Sequence, residues 1–273
     1  MISSNEVNKF IEEAYPGVDI NFVFDFKRDA IYLDWIFQQF IAGELTGLKE
    51  GSALQKAPSL AEADFLAMQV QDEIRHAKMY RHLLTKLRRD YDYKPMKIPR
   101  LLIALVQPVS GRLWQEHVFL DKAVGEFWVL QLMLVMVVTT DDSKLKKTLL
   151  NIAKDEVQHI HFGETQTLQY TRQNRFYRYY LSGLYLRNDF AMQLLYRAIR
   201  LRFRKRKRKD LEELATIFFS SSRQRLHEQA ARVLLVQPHM LNTFQKIFRI
   251  ILSQGLFFLR MIFFGWRRSP SSV

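Results

Sequence analysis

Apolar residues recur three and four apart along most of this 273-residue chain, and alternating apolar–polar runs are few. That period predicts an all-α protein. Glycine and proline fall mostly between the periodic segments, where they punctuate rather than interrupt. The segments predict helices over about 22–50, 60–90, 113–139, 142–172, 175–204, 211–236 and 239–266. Ser59 followed by Glu62 reads as a capping box before the second helix, and Asp142 or Ser143 fits the N-cap of the fourth. Among the first four helices the longest connection lies between the second and third, and contains Pro95, Pro99, Pro108 and Gly111. A four-helix bundle with one long crossover has that connectivity. The expected organisation is a bundle over 1–172, then a helical extension over 173–273 packed on the bundle or on a membrane.

The second helix departs from its own pattern. In "QDEIRHAKMY", residues 71–80, Asp72, Glu73 and His76 sit among Phe65, Met68, Ile74, Met79 and Leu83, which mark the helix as packed inside. Glu73 and His76 are three apart and share one face. One such pair is ordinarily a hydrogen-bonded core pair. The fourth helix repeats it: in "KDEVQHIHFG", residues 154–163, Asp155, Glu156 and His159 have the same spacing. Two Glu-x-x-His helices plus one carboxylate from each of two others make a bundle metal site. Glu126 lies 30 residues before Glu156 in an apolar helix, and Glu44 lies 29 before Glu73. The near-equal offsets make two copies of one helix pair. Burying four carboxylates without compensation is costly, which favours metal over a plain core.

The residue types fit two metal ions. Four carboxylates neutralise and bridge the pair, and each imidazole caps one ion. Asp72 and Asp155 precede the ligand glutamates and are expected to accept a hydrogen bond from the ligand histidine of the opposite motif. Phe40, Leu48, Gln69, Tyr80, Leu130 and Met133 lie one turn from the ligands. Tyr80 is the candidate proton or radical donor, though a structural tyrosine explains it too. The chain has no cysteine, which excludes disulfides, thiolate metal sites, iron–sulfur clusters and cysteine nucleophiles. The first residues have no basic stretch followed by an apolar run, so the expected location is cytoplasmic.

On Glu44, Glu73, His76, Glu126, Glu156 and His159 the chain resembles the ferritin-like di-iron carboxylate superfamily over roughly residues 25–170. The segment "DEVQHIHFGE" is similar to the D-E-x-x-H-x-x-[FY]-G-E segment of aldehyde-deformylating oxygenases. The resemblance implies two iron ions or a manganese–iron pair, O2 as co-substrate, and a reductase or ferredoxin as external electron donor. It implies an oxygenase acting on a hydrophobic, acyl-chain or lipid-like substrate. The alternatives within the superfamily are a tRNA-modifying hydroxylase, an N-oxygenase with His161 as a third histidine ligand, and an iron-storing or peroxide-detoxifying protein.

Charge divides the chain. Residues 1–165 carry 20 Lys/Arg and 23 Asp/Glu, whereas residues 166–273 carry 21 and 5. The second part is expected to meet something negative. "RLRFRKRKRK", residues 200–209, holds eight basic residues. In the last helix Lys246, Arg249, Ser253, Arg260 and Arg267 form one narrow stripe, with Phe, Ile, Leu, Met and Trp over the rest. Its longest uncharged run, 250–259, is too short to span a bilayer. The pattern suits a helix lying in the interface of an anionic membrane, on the inner face of the cytoplasmic membrane. The alternatives are docking on the bundle with the stripe in water, and contact with nucleic acid.

Overall fold

The computed structural model describes residues 20, 22–47, 54–94 and 113–264, and among these every regular element is helical. Helix α1 (Ala30–Gly47) packs along α2 (Leu60–Asp90). A continuous helical run then comprises α3 (Trp114–His117), a π-helical stretch (Val118–Gly125) and α4 (Glu126–Val138). It packs along α5 (Ser143–Gln173). Three further helices follow: α6 (Arg175–Lys205), α7 (Lys209–Leu234) and α8 (Thr243–Phe264).

The helix ends follow local chemistry. The Asp142 carboxylate accepts from the Lys144 and Leu145 amides, both at 2.9 Å, so Asp142 is the cap of α5. Asn174 ends α5 and caps α6 at once, accepting from the Phe176 amide. The Ser59–Glu62 capping box does not form: the Ser59 hydroxyl donates to the Glu62 carboxylate instead of meeting backbone amides. Helix α1 starts eight residues later than the sequence period predicts. Phe22 and Phe24 are buried in extended chain with their rings edge to face, and the Phe24 amide donates to the Thr139 carbonyl at 2.8 Å. That segment reads as helical because its apolar spacing serves packing, not a helical face.

One apolar cluster runs from Phe22 to Leu234, so residues of α6 and α7 share a core with α1, α4 and α5. Arg208, between α6 and α7, reaches back to the fully buried Asp29 at 2.7 Å and ties the extension to the start of α1. Met68 and Ile74 of α2 are exposed, against their expected place inside. They lie on the α2 face away from Glu73 and His76, and the apolar positions that do go inside are Leu66, Ala77, Tyr80, Leu84 and Leu87.

The last helix lies on α6. Arg249 donates to the Ser182 hydroxyl at 2.8 Å and stacks its guanidinium over Tyr179, while Arg187 donates to Gln254. These pairings run the two helices in the same direction. Gly183 permits the approach: a Cβ there would sit 2.6 Å from the Ser253 hydroxyl. The polar stripe therefore faces the protein, and Phe244, Ile247, Phe248, Ile251 and Leu252 face outward. Docking with the stripe in water, one of the alternatives, is thus reversed at Arg249 and Ser253, while Lys246 is half-buried. A helical wheel defines a stripe but not which side water occupies, and Tyr179, Ser182 and Gly183 provide a dock for Arg249 and Ser253. The Arg260 side chain, Arg267 and Leu48 lie outside the described residues.

Candidate metal centre

Four helices bring the six candidate ligands together. Glu73 and His76 point off one face of α2, Glu156 and His159 off one face of α5, Glu44 comes from α1 and Glu126 from α4. They form two groups, Glu44–His76–Glu156 and Glu73–Glu126–His159, each with its ligand atoms within 4.8 Å of one another. The two motifs are exchanged between the groups: each takes the histidine of one helix and the glutamate of the other. Glu156 joins the groups, with Oε1 3.2 Å from His76 Nδ1 and Oε2 3.1 Å from His159 Nδ1.

The histidines are held from behind. His76 Nε2 meets Asp155 Oδ2 at 3.1 Å, and His159 Nε2 lies 3.6 Å from Asp72 Oδ2. Each aspartate thus faces the histidine of the other motif and leaves Nδ1 turned inward. Arg75 bridges Asp72 and Asp155 at 2.7 and 2.8 Å, closing this side of the site. The exposed His161 points away from both groups. Tyr80 is buried, stacks on Phe40, and donates its hydroxyl to Met133 Sδ at 2.9 Å.

Buried polar atoms normally find partners. Here Glu44 Oε2, Glu73 Oε1, His76 Nδ1 and Glu156 Oε1 have no hydrogen bond, and all belong to the two groups. Buried carboxylate oxygens and an imidazole nitrogen that converge with their hydrogen bonds unmade fit divalent iron or manganese. The π-helical stretch before α4 also brings Lys122, which the sequence reading missed. It is fully buried, with Nζ 3.1 Å from Glu126 Oε1 and 4.0 Å from Glu73 Oε1. Its position four residues before Glu126 is the signal that marks it.

The charges respond to this crowding. Burial raises Glu44 to about 7, and burial together with neighbouring carboxylates pushes Glu73 and Glu126 well above the usual range. Burial alone would lower the histidines. Contacts with Asp155, Glu156 and Glu44 instead lift His76 to about 12, and Asp72 with Glu156 lifts His159 to about 10. Burial would raise Glu156 too, but the His159 and His76 contacts win and hold it well below its ordinary value.

A raised group stabilises the fold below its unfolded pKa and loses that contribution as pH rises through its folded value. Glu44 loses its part between about 4.5 and about 7, and His159 between 6.5 and about 10. The metal-free protein should therefore melt at progressively lower temperature from about pH 5 to about pH 9. A metal ion held there would displace these protons, so its binding would strengthen with pH. Melting curves across that range, with and without Mn2+, should diverge upward in pH. Parallel curves would remove the protons from the ligand set.

An apolar cavity of about 240 Å³ opens between α1, α4, α6 and α7. Trp35, Phe40, Trp128, Leu132, Met136 and Phe219 are among its walls. Phe40 is one turn before Glu44, and Trp128 two residues after Glu126. Phe40 both lines the cavity and stacks on Tyr80. No protein-family model, curated protein or solved structure matches the chain. The buried Glu/His groups stand on their own geometry.

Proposed function

We propose that this chain is a non-haem di-iron oxygenase of the ferritin-like kind, acting on a hydrophobic, acyl-chain or lipid-like substrate at a membrane surface. The observation that carries the reading is the convergence of six Glu and His ligands from four helices, with four of their buried atoms unpartnered. Two irons held there supply reductive activation of O2, with electrons from an external donor; a manganese–iron pair fits the same donor set. Asp155 and Asp72 hold the histidine rings in place, and Glu156 ties the two groups into one centre. Phe40, Tyr80 and Met133 keep water away on one side.

The cavity favours an apolar substrate. At about 240 Å³ it exceeds the ~150 Å³ apolar cavity that admits benzene. The outward face of α8 favours a membrane as the place where such a substrate is met: five large apolar side chains are exposed on one helix, on the strongly basic half of the chain. No helix among the described residues is long and apolar enough to cross a membrane. Nucleic acid is less favoured, since Arg200 and Arg204 are paired with Glu212, and Arg208 with Asp210 and Asp29.

The test uses iron-loaded protein, a reductant and O2, with fatty acyl substrates presented in anionic vesicles. Mass spectrometry should find an oxygenated product, absent with Glu156→Ala and reduced with Phe248→Glu, which should also release the protein from sedimenting vesicles. Oxygen consumed with iron oxidised but no organic product would replace this reading with iron storage or peroxide removal. Steeply salt-dependent binding to tRNA, with none to vesicles, would replace it with the tRNA hydroxylase.

A further inference from the structure

The two halves of the centre are copies in their Glu and His spacing, and they differ at two matched positions beside it. Four residues before the α1 ligand Glu44 stands Phe40; four before the α4 ligand Glu126 stands Lys122. Four after His76 stands Tyr80; four after His159 stands Gly163. In the first half Phe40 and Tyr80 stack with ring centres 4.6 Å apart. In the second half a Cβ on Gly163 would lie 2.7 Å from Lys122 Cβ. The aromatic pair of one half is replaced by a lysine and the glycine that makes room for it.

Lys122 thereby places a fixed ammonium beside the Glu73–Glu126–His159 group, while among the described residues no lysine or arginine is paired with Glu44 or Glu156. Charge balance gives this a consequence. Four carboxylates neutralise two divalent ions; with Lys122 added, the two-ion centre carries one excess positive charge. With one ion it carries one excess negative charge. The second ion must enter next to a like charge in a buried site, where repulsion is poorly screened.

We propose that Lys122 makes the centre load in order, the Glu44–His76–Glu156 group tightly and first, the Glu73–Glu126–His159 group more weakly and exchangeably. This rests on the two-metal reading above. The experiment is an anaerobic Mn2+ titration of the metal-free full chain by calorimetry and paramagnetic resonance, for wild type, Lys122→Met, Lys122→Gln and Lys122→Arg. Wild type should bind in two steps. In Lys122→Met and Lys122→Gln the second step should tighten by about tenfold or more while the first changes little. Lys122→Arg should keep the wild-type gap. If Lys122→Met fails to fold without metal, Lys122→Gln carries the comparison, and the Mn2+-induced rise in melting temperature should exceed that of wild type. Equal steps in wild type would overturn the proposal. So would a second step lost or unchanged in both neutral variants, which would make Lys122 a support for Glu126 and not a rival of the ion. A wild type that binds no Mn2+, or a titration indifferent to Glu73→Ala and Glu126→Ala, would instead remove the two-metal reading itself.

Discussion

Glu156→Ala should strip metal from both halves of the centre. Glu156 alone touches both ligand histidines, one through each oxygen. Its loss deprives each prospective ion of an anionic ligand and unlinks the two groups. Bound iron, measured by elemental analysis after reconstitution and desalting, should fall by at least about tenfold, since even loss of a supporting hydrogen bond costs about 10–100-fold in affinity. Glu73→Ala should also reduce iron strongly. The fold should survive, because the surrounding apolar core stays in place even as the two histidines lose a shared counter-charge. Circular dichroism checks that point. A variant that keeps two ions per chain, or a wild type holding one zinc indifferent to both changes, would end the di-iron reading.

The second large effect is mechanical. Gly163→Ala should destabilise the protein by about 3 kcal/mol, the upper end for overpacking a core. A Cβ at that position would lie 2.7 Å from the Ala123 amide nitrogen and 2.8 Å from the Val118 carbonyl oxygen. Both atoms are backbone of the π-helical stretch, so no side chain can swing aside; α5 must retreat or the stretch must reshape. Gly43→Ala is the control. Nothing lies within 4 Å of its Cβ, so it should be neutral or gain the usual helix preference of alanine over glycine. Denaturant unfolding of the metal-free proteins measures both. Equal stabilities would mean that the close approach of α5 to the π-helical stretch carries no energy.

The six converging Glu and His residues were legible because their chemistry is costly to explain otherwise: charges repeated at matched spacing on apolar helices. The exchange of histidine and glutamate between the two groups was not, since spacing fixes a face but not which neighbour a side chain meets. Lys122 escaped notice for a related reason. A lysine near the start of a helix ordinarily reads as solvated, and its burial depends on Gly163 forty-one residues away. The π-helical stretch has no simple pattern in sequence; it is set by tertiary fit. The reversed facing of α8 follows from the arginine stem, which is long enough to dock inward and still find polar partners at Ser182 and Tyr179.

The π-helical stretch also couples chain length to chemistry. Glu126 donates its amide back to the Asp121 carbonyl, five residues earlier, so this run holds more residues per turn than an α-helix would. Losing one residue there would let the run relax to α-helix, and the relaxation would take up much of the ~100° turn that a deletion imposes on an ordinary helix. Glu116 and Glu126, on either side, would keep their faces while the widened turn that carries Lys122 disappeared. A one-codon deletion, ruinous in most buried helices, would here remove the widened turn alone.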